Sequence, residues 1–268
     1  AGRGDPRRRL GVVRGECHRG WIKRLRYRRE LRRELQGEIQ LSGAFALYPM
    51  AVKWAEEFRK IHPKVRIDIS AGGAGKGITD ALAKVVDLGM VSRDIYPQEL
   101  EKGAFPIAVV KDAVVPTINS NNPLIDQILA TGLKQQVAQD LWIHTTARTW
   151  GDVLGTGSTI PVHVYTRSDA CGAAETFAAW LGAKQEDLEG TAVFGDPGVT
   201  SVVQRDKVGI GFNNIAYAYD INSKKPYRHI AVIPLDLNGN GKIDPEEDFY
   251  ATSTELNAAI AEGKYPSP

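Results

Sequence analysis

The chain has 268 residues, 43% of them hydrophobic, and a formal net charge of +2. That length and composition suffice for one or two buried cores and argue against a disordered chain, and no apolar run approaches the length of a membrane-spanning helix. The near-neutral total conceals an asymmetry: residues 1–36 hold thirteen Lys/Arg against four Asp/Glu, about +9, which leaves about −7 for residues 37–268.

Residues 1–36 read as a basic arm that is not part of the fold. The arm lacks the apolar stretch of a secretory signal. Arg7-Arg8-Arg9 and the run from Lys23 to Arg33 could attract nucleic acid or anionic lipid. A nucleic-acid-associated protein is therefore one alternative class, although a solvated tail is the simpler reading and no nucleic-acid partner is expected. Cys17 and Cys171 have no companions at metal-ligand spacing, and whether they pair is open.

From Gly37 the texture becomes regular. Glu38 to Ser42 reads as a strand. A helix follows, opened near Pro49, with Met50, Trp54, Ala55 and Phe58 as its apolar stripe. Val65 to Ser70 alternates as a strand, with Val65, Ile67 and Ile69 on one side. A glycine-rich loop, Ala71 to Gly77, leads into a helix from Ile78 to about Val86. Asp87 to Ser92, Ile107 to Lys111 and Ala113 to Asn119 are strand-like. Pro123 to Gln139 is helical, and Trp150 to Leu154 is a short helical turn. His163 to Tyr165 is a strand, and a small-residue loop then opens a helix from Ala174 to Leu181. Gly195 to Gly198 reads as a turn before a helix from Val199 to Arg205. Val208 to Phe212 and Ile230 to Leu235 are strands, and Ala251 to Glu262 closes as a helix ending at Gly263. Strand and helix in alternation specify an α/β fold with largely parallel sheets, whose ligands collect at the carboxyl ends of the strands.

Three strand-loop-helix junctions share one chemistry: Gly43–Pro49, Ala71–Gly77 and Ser168–Gly172. Each offers unpaired N–H groups at a helix start, where the dipole favours an anion. Arg93 and Arg167 stand at strand ends, and a guanidinium suits a bidentate hold on an oxyanion. The second loop is not a nucleotide P-loop: that motif requires glycine at position 70 and a hydroxyl at 77, and the chain has Ser70 and Gly77.

The segments Gly43–Pro49, Gly72–Ile78, Asp87–Asp94, Thr149–Asp152, Thr166–Gly172 and Gly209–Phe212 together resemble the PstS-like branch of the two-lobed periplasmic binding proteins, the substrate-binding proteins of ABC phosphate importers. The resemblance covers most of the chain beyond the arm. It implies a two-lobed type II architecture, each lobe a mostly parallel sheet flanked by helices. Lobe 1 would comprise 37–115 plus 225–268, and lobe 2 would comprise 116–224, inserted between crossing strands. It implies a monomeric, non-enzymatic protein, periplasmic or extracellular, with membrane attachment left open. Its partners would be phosphate and an ABC permease; sulfate, molybdate and tungstate remain alternatives. The binding residues carried over by position are Ala46, Leu47, Ala74, Gly75, Ser92, Arg93, Arg167, Asp169, Cys171, Gly172 and Ala173. Ala46, Ala74, Cys171 and Ala173 stand where the family usually has Ser or Thr. On this reading Arg167→Ala removes oxyanion binding and leaves the fold intact.

One motif is independent of the resemblance. Asp236 to Glu247 fits the calcium-loop pattern, with Asp236, Asn238, Asn240, the Lys242 carbonyl, Asp244 and Glu247 at the ligand positions and Gly241 at the sharp turn. A structural Ca2+ is expected there and no catalytic cofactor. His18, His62, His144, His163 and His229 are scattered and form no recognisable nucleophile or metal motif.

Overall fold

The computed structural model describes residues 35–267. The expectations for the basic arm and Cys17 lie outside the described residues, apart from Leu35 and Gln36 at the arm's end.

The first lobe is built on a three-stranded parallel sheet of order β2-β1-β3, made by β1 (Gln36–Gly43), β2 (Lys64–Ala71) and β3 (Leu88–Met90). Parallel neighbours need crossovers, and helices α1 (Tyr48–Ile61) and α2 (Ala74–Leu82) serve as such. Pro49 lies in the first turn of α1, where its missing N–H goes unneeded. The expected stripe of α1 holds at Ala55 and at Phe58, which packs against the Ala55 cluster, and is corrected at Trp54. Ala51 and Ala55 are buried, one turn apart, and bring the helix close to the sheet, while Trp54 is 46% exposed. The alternation in β2 places Val65 and Ile67 in the core, as expected. Helix α2 starts a turn earlier than expected, because Gly73 at φ 90° feeds the chain straight into it. After the short helix α3 (Pro97–Glu101), the expected strand at Ile107 to Lys111 is not formed. Among the described residues no strand pairs with that segment, and Phe105, Ile107, Val109 and Val110 are exposed.

The second sheet has five strands in the order β6-β5-β7-β4-β8: β4 (Val114–Asn119), β5 (His163–Arg167), β6 (Thr191–Val193), β7 (Gly209–Asn214) and β8 (Ile230–Val232). Strand β5 is parallel to β6 and β7, whereas β4 is antiparallel to β7 and β8. This sheet is therefore mixed rather than mostly parallel. The residues expected to return to the first lobe pack on the second instead. Ile230–Val232 pairs with β4, and Leu256 and Ala259 of the last helix, α10 (Ser253–Ala261), join the core of Trp142, Trp150, Phe177 and Phe212.

The long helix expected at Pro123 to Gln139 is two, α4 (Ile125–Thr131) and α5 (Gln135–Trp142). Gly132 at φ 72° separates them, pressed against the Ile243 side chain. The remaining helices are α6 (Trp150–Leu154), α7 (Gly172–Trp180), α8 (Gly195–Arg205) and α9 (Ile215–Ala218). Helix α8 takes the expected turn Gly195–Gly198 into its first turn. No helix among the described residues is long and apolar enough to cross a membrane.

Candidate functional site

Arg167 is the last residue of β5, held in register by β6, and its side chain is 1% exposed. Its guanidinium donates from Nε to Asp169 Oδ1 at 2.9 Å, from Nη2 to Asp169 Oδ2 at 2.6 Å and from Nη1 to Asp196 Oδ2 at 2.6 Å. Asp169 lies two residues along the same loop, so its carboxylate reaches the fork side-on. Asp196 stands in the first turn of α8 and also accepts from the Asn214 N–H at 2.9 Å and from its Nδ2. The Gly195 N–H closes the ring on Asp169 Oδ1 at 3.0 Å. Burial alone opposes the guanidinium charge, but the hydrogen bonds of Asp169 and the charge of Asp196 outweigh it and hold the group above even its ordinary range.

Helix α7 opens beside this cluster. Cys171 is its N-cap and accepts from the Ala174 N–H at 3.4 Å through sulfur, and burial pushes the thiol up to about 12. The N–H groups of Gly172 and Ala173 have no acceptor among the described residues. Across the interface, Gly75 donates to the Ala170 carbonyl at 3.4 Å, and Ala74, buried at the start of α2, likewise has an N–H without an acceptor among the described residues.

The lobes meet without slack. A Cβ on Gly172 would lie 1.8 Å from the Ser92 carbonyl oxygen, and one on Gly73 would lie 3.0 Å from Asp169 Oδ2. Phe45 reaches from the first lobe to the second. Its carbonyl accepts from the Tyr217 hydroxyl at 3.1 Å, its ring meets Phe194 edge-on at 5.7 Å, and it lies 5.8 Å from the Arg167 guanidinium.

Of the residues singled out in the sequence, Arg167, Asp169, Cys171, Gly172 and Ala173 thus sit together, facing Ala74, Gly75 and Ser92. Ala46 and Leu47 occupy the 3-10 turn Phe45–Leu47 ahead of α1. Arg93 is engaged elsewhere. It pairs with Glu99 at 2.8 and 2.9 Å, stacks on Tyr96 at 4.0 Å and approaches Glu175 of α7 at 3.6 Å. Asp196 escapes a sequence reading that takes Gly195-Asp196-Pro197-Gly198 for a plain turn. The usable signal was that this is a fourth strand-loop-helix junction with an acid in its first turn. Two shallow surface depressions, one along Thr145, Arg148 and Gly190 and one around His163, Tyr165 and Asp206, lie away from these helix starts.

The calcium-type loop is closed on itself. Asp236 accepts from the N–H groups of Gly239, Asn240 and Gly241, and Glu247 accepts from those of Leu237, Asn238 and Asp244. Asp244 takes Asn238, Asn240 and Lys242. Among the described residues no group of three or more His, Cys, Asp or Glu is gathered around one metal position.

A family model described as a PBP superfamily domain matches residues 31–267. The chain belongs to the PBP superfamily. This PBP-superfamily chain is 28% identical over 211 residues to Protein SphX of Synechococcus elongatus, covering 76% of the chain and 60% of the relative. It is 28% identical over 205 residues to the phosphate-binding protein PstS of Xylella fastidiosa, covering 67% and 54%. The chain thus spans little more than half the length of these curated relatives. Its fold matches a crystal structure from Clostridium perfringens, a candidate phosphate ABC transporter substrate-binding protein with bound phosphate. The TM-score is 0.67, with 22% identity over 86% of this chain and 83% of the other.

Proposed function

We propose that the chain captures an oxyanion, inorganic phosphate foremost, between its two lobes, and passes it to an ABC importer outside the cytoplasm. The observation that carries this is the buried Arg167 fork beside the acceptor-free N–H groups of Gly172 and Ala173 and opposite that of Ala74. Three of the five guanidinium N–H groups are spent on Asp169 and Asp196, so two remain for a ligand. The names of the curated relatives support phosphate as that ligand and transport as its purpose. Backbone N–H groups carry much of the binding, since Ala46, Ala74, Cys171 and Ala173 bring no hydroxyl. Calorimetry of the full chain against phosphate, sulfate, molybdate and tungstate tests the reading. Saturable phosphate binding, one anion per chain, is expected. Failure of all four anions to bind would overturn it.

A structural role for calcium in 236–247 is a second proposal, supported by the match of Asp236, Asn238, Asn240, Lys242, Asp244 and Glu247 to the ligand spacing. Occupancy would require Asp244 to leave Lys242 and Glu247 to release N–H groups of its own loop.

A further inference from the structure

Both lobes hold the Arg167 guanidinium, each by a different kind of contact. The second lobe takes it by hydrogen bonds, through Asp169 and Asp196. The first lobe sets an aromatic ring against its charge: the guanidinium carbon stands 5.8 Å over the centroid of Phe45. Phe45 opens the 3-10 turn in the Gly43–Pro49 loop, so its place beside Arg167 exists only where the lobes meet.

The ring is fitted to the start of α8. A Cβ on Gly195 would lie 3.0–3.4 Å from three of its carbons, so the bare backbone there is the ring's seat. Phe194, one residue earlier, meets the ring edge-on at an interplanar angle of 84°, an arrangement that aromatic pairs favour. The Tyr217 hydroxyl donates to the Phe45 carbonyl, and Thr200 of α8 holds the Tyr217 carbonyl in turn at 2.9 Å. Burial deepens along the row. Phe194 is 59% exposed, Phe45 is half-buried, and the Arg167 side chain is 1% exposed. Phe45 thus stands between solvent and the fork on this flank.

We propose that Phe45 is a positioning residue that gates the cleft: with Phe194 it clasps the lobes over Arg167 and sets the rate at which a held anion is released; this rests on the proposed oxyanion function. An apolar ring suits the task. It offers the ligand no competing hydrogen bond, and by keeping water from the fork it strengthens the electrostatic contacts inside. Its contacts with Arg167, Gly195 and Phe194 all cross from one lobe to the other. They form as the cleft closes and must break before the anion leaves, so they govern dissociation and not the first encounter.

The test is stopped-flow measurement of inorganic phosphate association and release in the full chain. Phe45→Leu keeps apolar bulk and loses the ring. It should speed release roughly tenfold and leave association within about twofold of wild type. Phe194→Leu should speed release roughly fivefold, and Phe194→Tyr, which restores the ring, should return it to the wild-type rate. Because one contact joins the two rings, Phe194→Leu should add little to Phe45→Leu in the double variant. A role confined to folding would lower the melting midpoint and leave release from the folded chain unchanged. Phe194 is largely exposed, so its two variants decide the matter even if Phe45→Leu fails to fold. A wild-type release rate in either folded leucine variant, or effects that multiply fully in the double variant, would overturn the proposal and leave the oxyanion function standing. No phosphate binding by the wild type would overturn the oxyanion function and the gate with it.

Discussion

Arg167 Nη1 donates to Asp196 Oδ2 at 2.6 Å, and both side chains are 1% exposed. A buried ion pair deprived of one member leaves a charge without compensation, at a cost of about 3–5 kcal/mol. Arg167→Ala would strand two carboxylates at once. It is expected to lower unfolding free energy by at least that amount in urea titrations, besides removing phosphate binding. The simpler expectation, in which Arg167 can be deleted with the fold intact, is thereby withdrawn. An unmoved urea midpoint would show that water reaches the two acids readily.

The lobes are fastened away from the anion cluster as well. The Tyr96 hydroxyl donates to Glu175 Oε2 at 2.9 Å, and Arg93 approaches the same carboxylate. A hydrogen bond of this kind contributes about 0.5–1.5 kcal/mol, at the lower end here because the residue is 39% exposed. Tyr96→Phe should therefore weaken phosphate binding about two- to threefold, mainly through a faster off-rate in stopped-flow release. Identical release kinetics would mean that the contact plays no part in closure.

Most of the scaffold was legible because its strands and helices announce themselves by periodicity: β2 by Val65 and Ile67, α10 by its stop at Gly263. The Arg167–Asp169 pair was legible because its members stand only two positions apart in sequence. Asp196 was not, since its partner lies 29 residues away and only tertiary packing brings α8 to the end of β5. Arg93 stands at the end of a strand, as expected, and its pairing with Glu99 of its own lobe, which takes two of its donors, was not legible in the sequence. Trp54 shows that an apolar stripe has two flanks: the expected Ala55 and the unexpected Ala51 take the close packing, and Trp54 is left 46% exposed. The return of the C-terminal residues to the first lobe came from the family resemblance. The pairing of Ile230–Val232 with β4 depends on contacts that no local pattern encodes.

Cys171 bears directly on the missing hydroxyls. Its thiol is pushed up to about 12 by burial, and the thiolate is the reactive form. In a Cys17→Ser chain, Cys171 should resist maleimide at neutral pH and label only as the solution approaches that strongly alkaline range or as the lobes open. Cys171→Ser should leave stability unchanged or raise it, because Ser is a preferred N-cap. It should also tighten phosphate binding about tenfold if the new hydroxyl reaches the anion. Fast labelling of the closed protein at neutral pH would contradict the burial that both predictions rest on.

The loop from Asp236 to Glu247 allows a test that metal removal can decide. Asp236 and Glu247 are both buried, and between them they accept six backbone N–H groups of their own loop. These bonds hold the loop against Gly132 through Ile243 with or without an ion. Asp236→Ala should thus destabilise the second lobe by about 1–3 kcal/mol, the cost of leaving buried donors unsatisfied, even in chelator. Calcium adds to this only if it draws Asp244 away from Lys242. With calcium bound, millimolar Ca2+ should raise the melting midpoint of the wild type, and chelator should return it. The rise should vanish in Glu247→Gln, which keeps the side-chain shape but loses the charge of the bidentate ligand. A midpoint indifferent to both additions would assign the loop to its hydrogen bonds alone and remove calcium from the description of this protein.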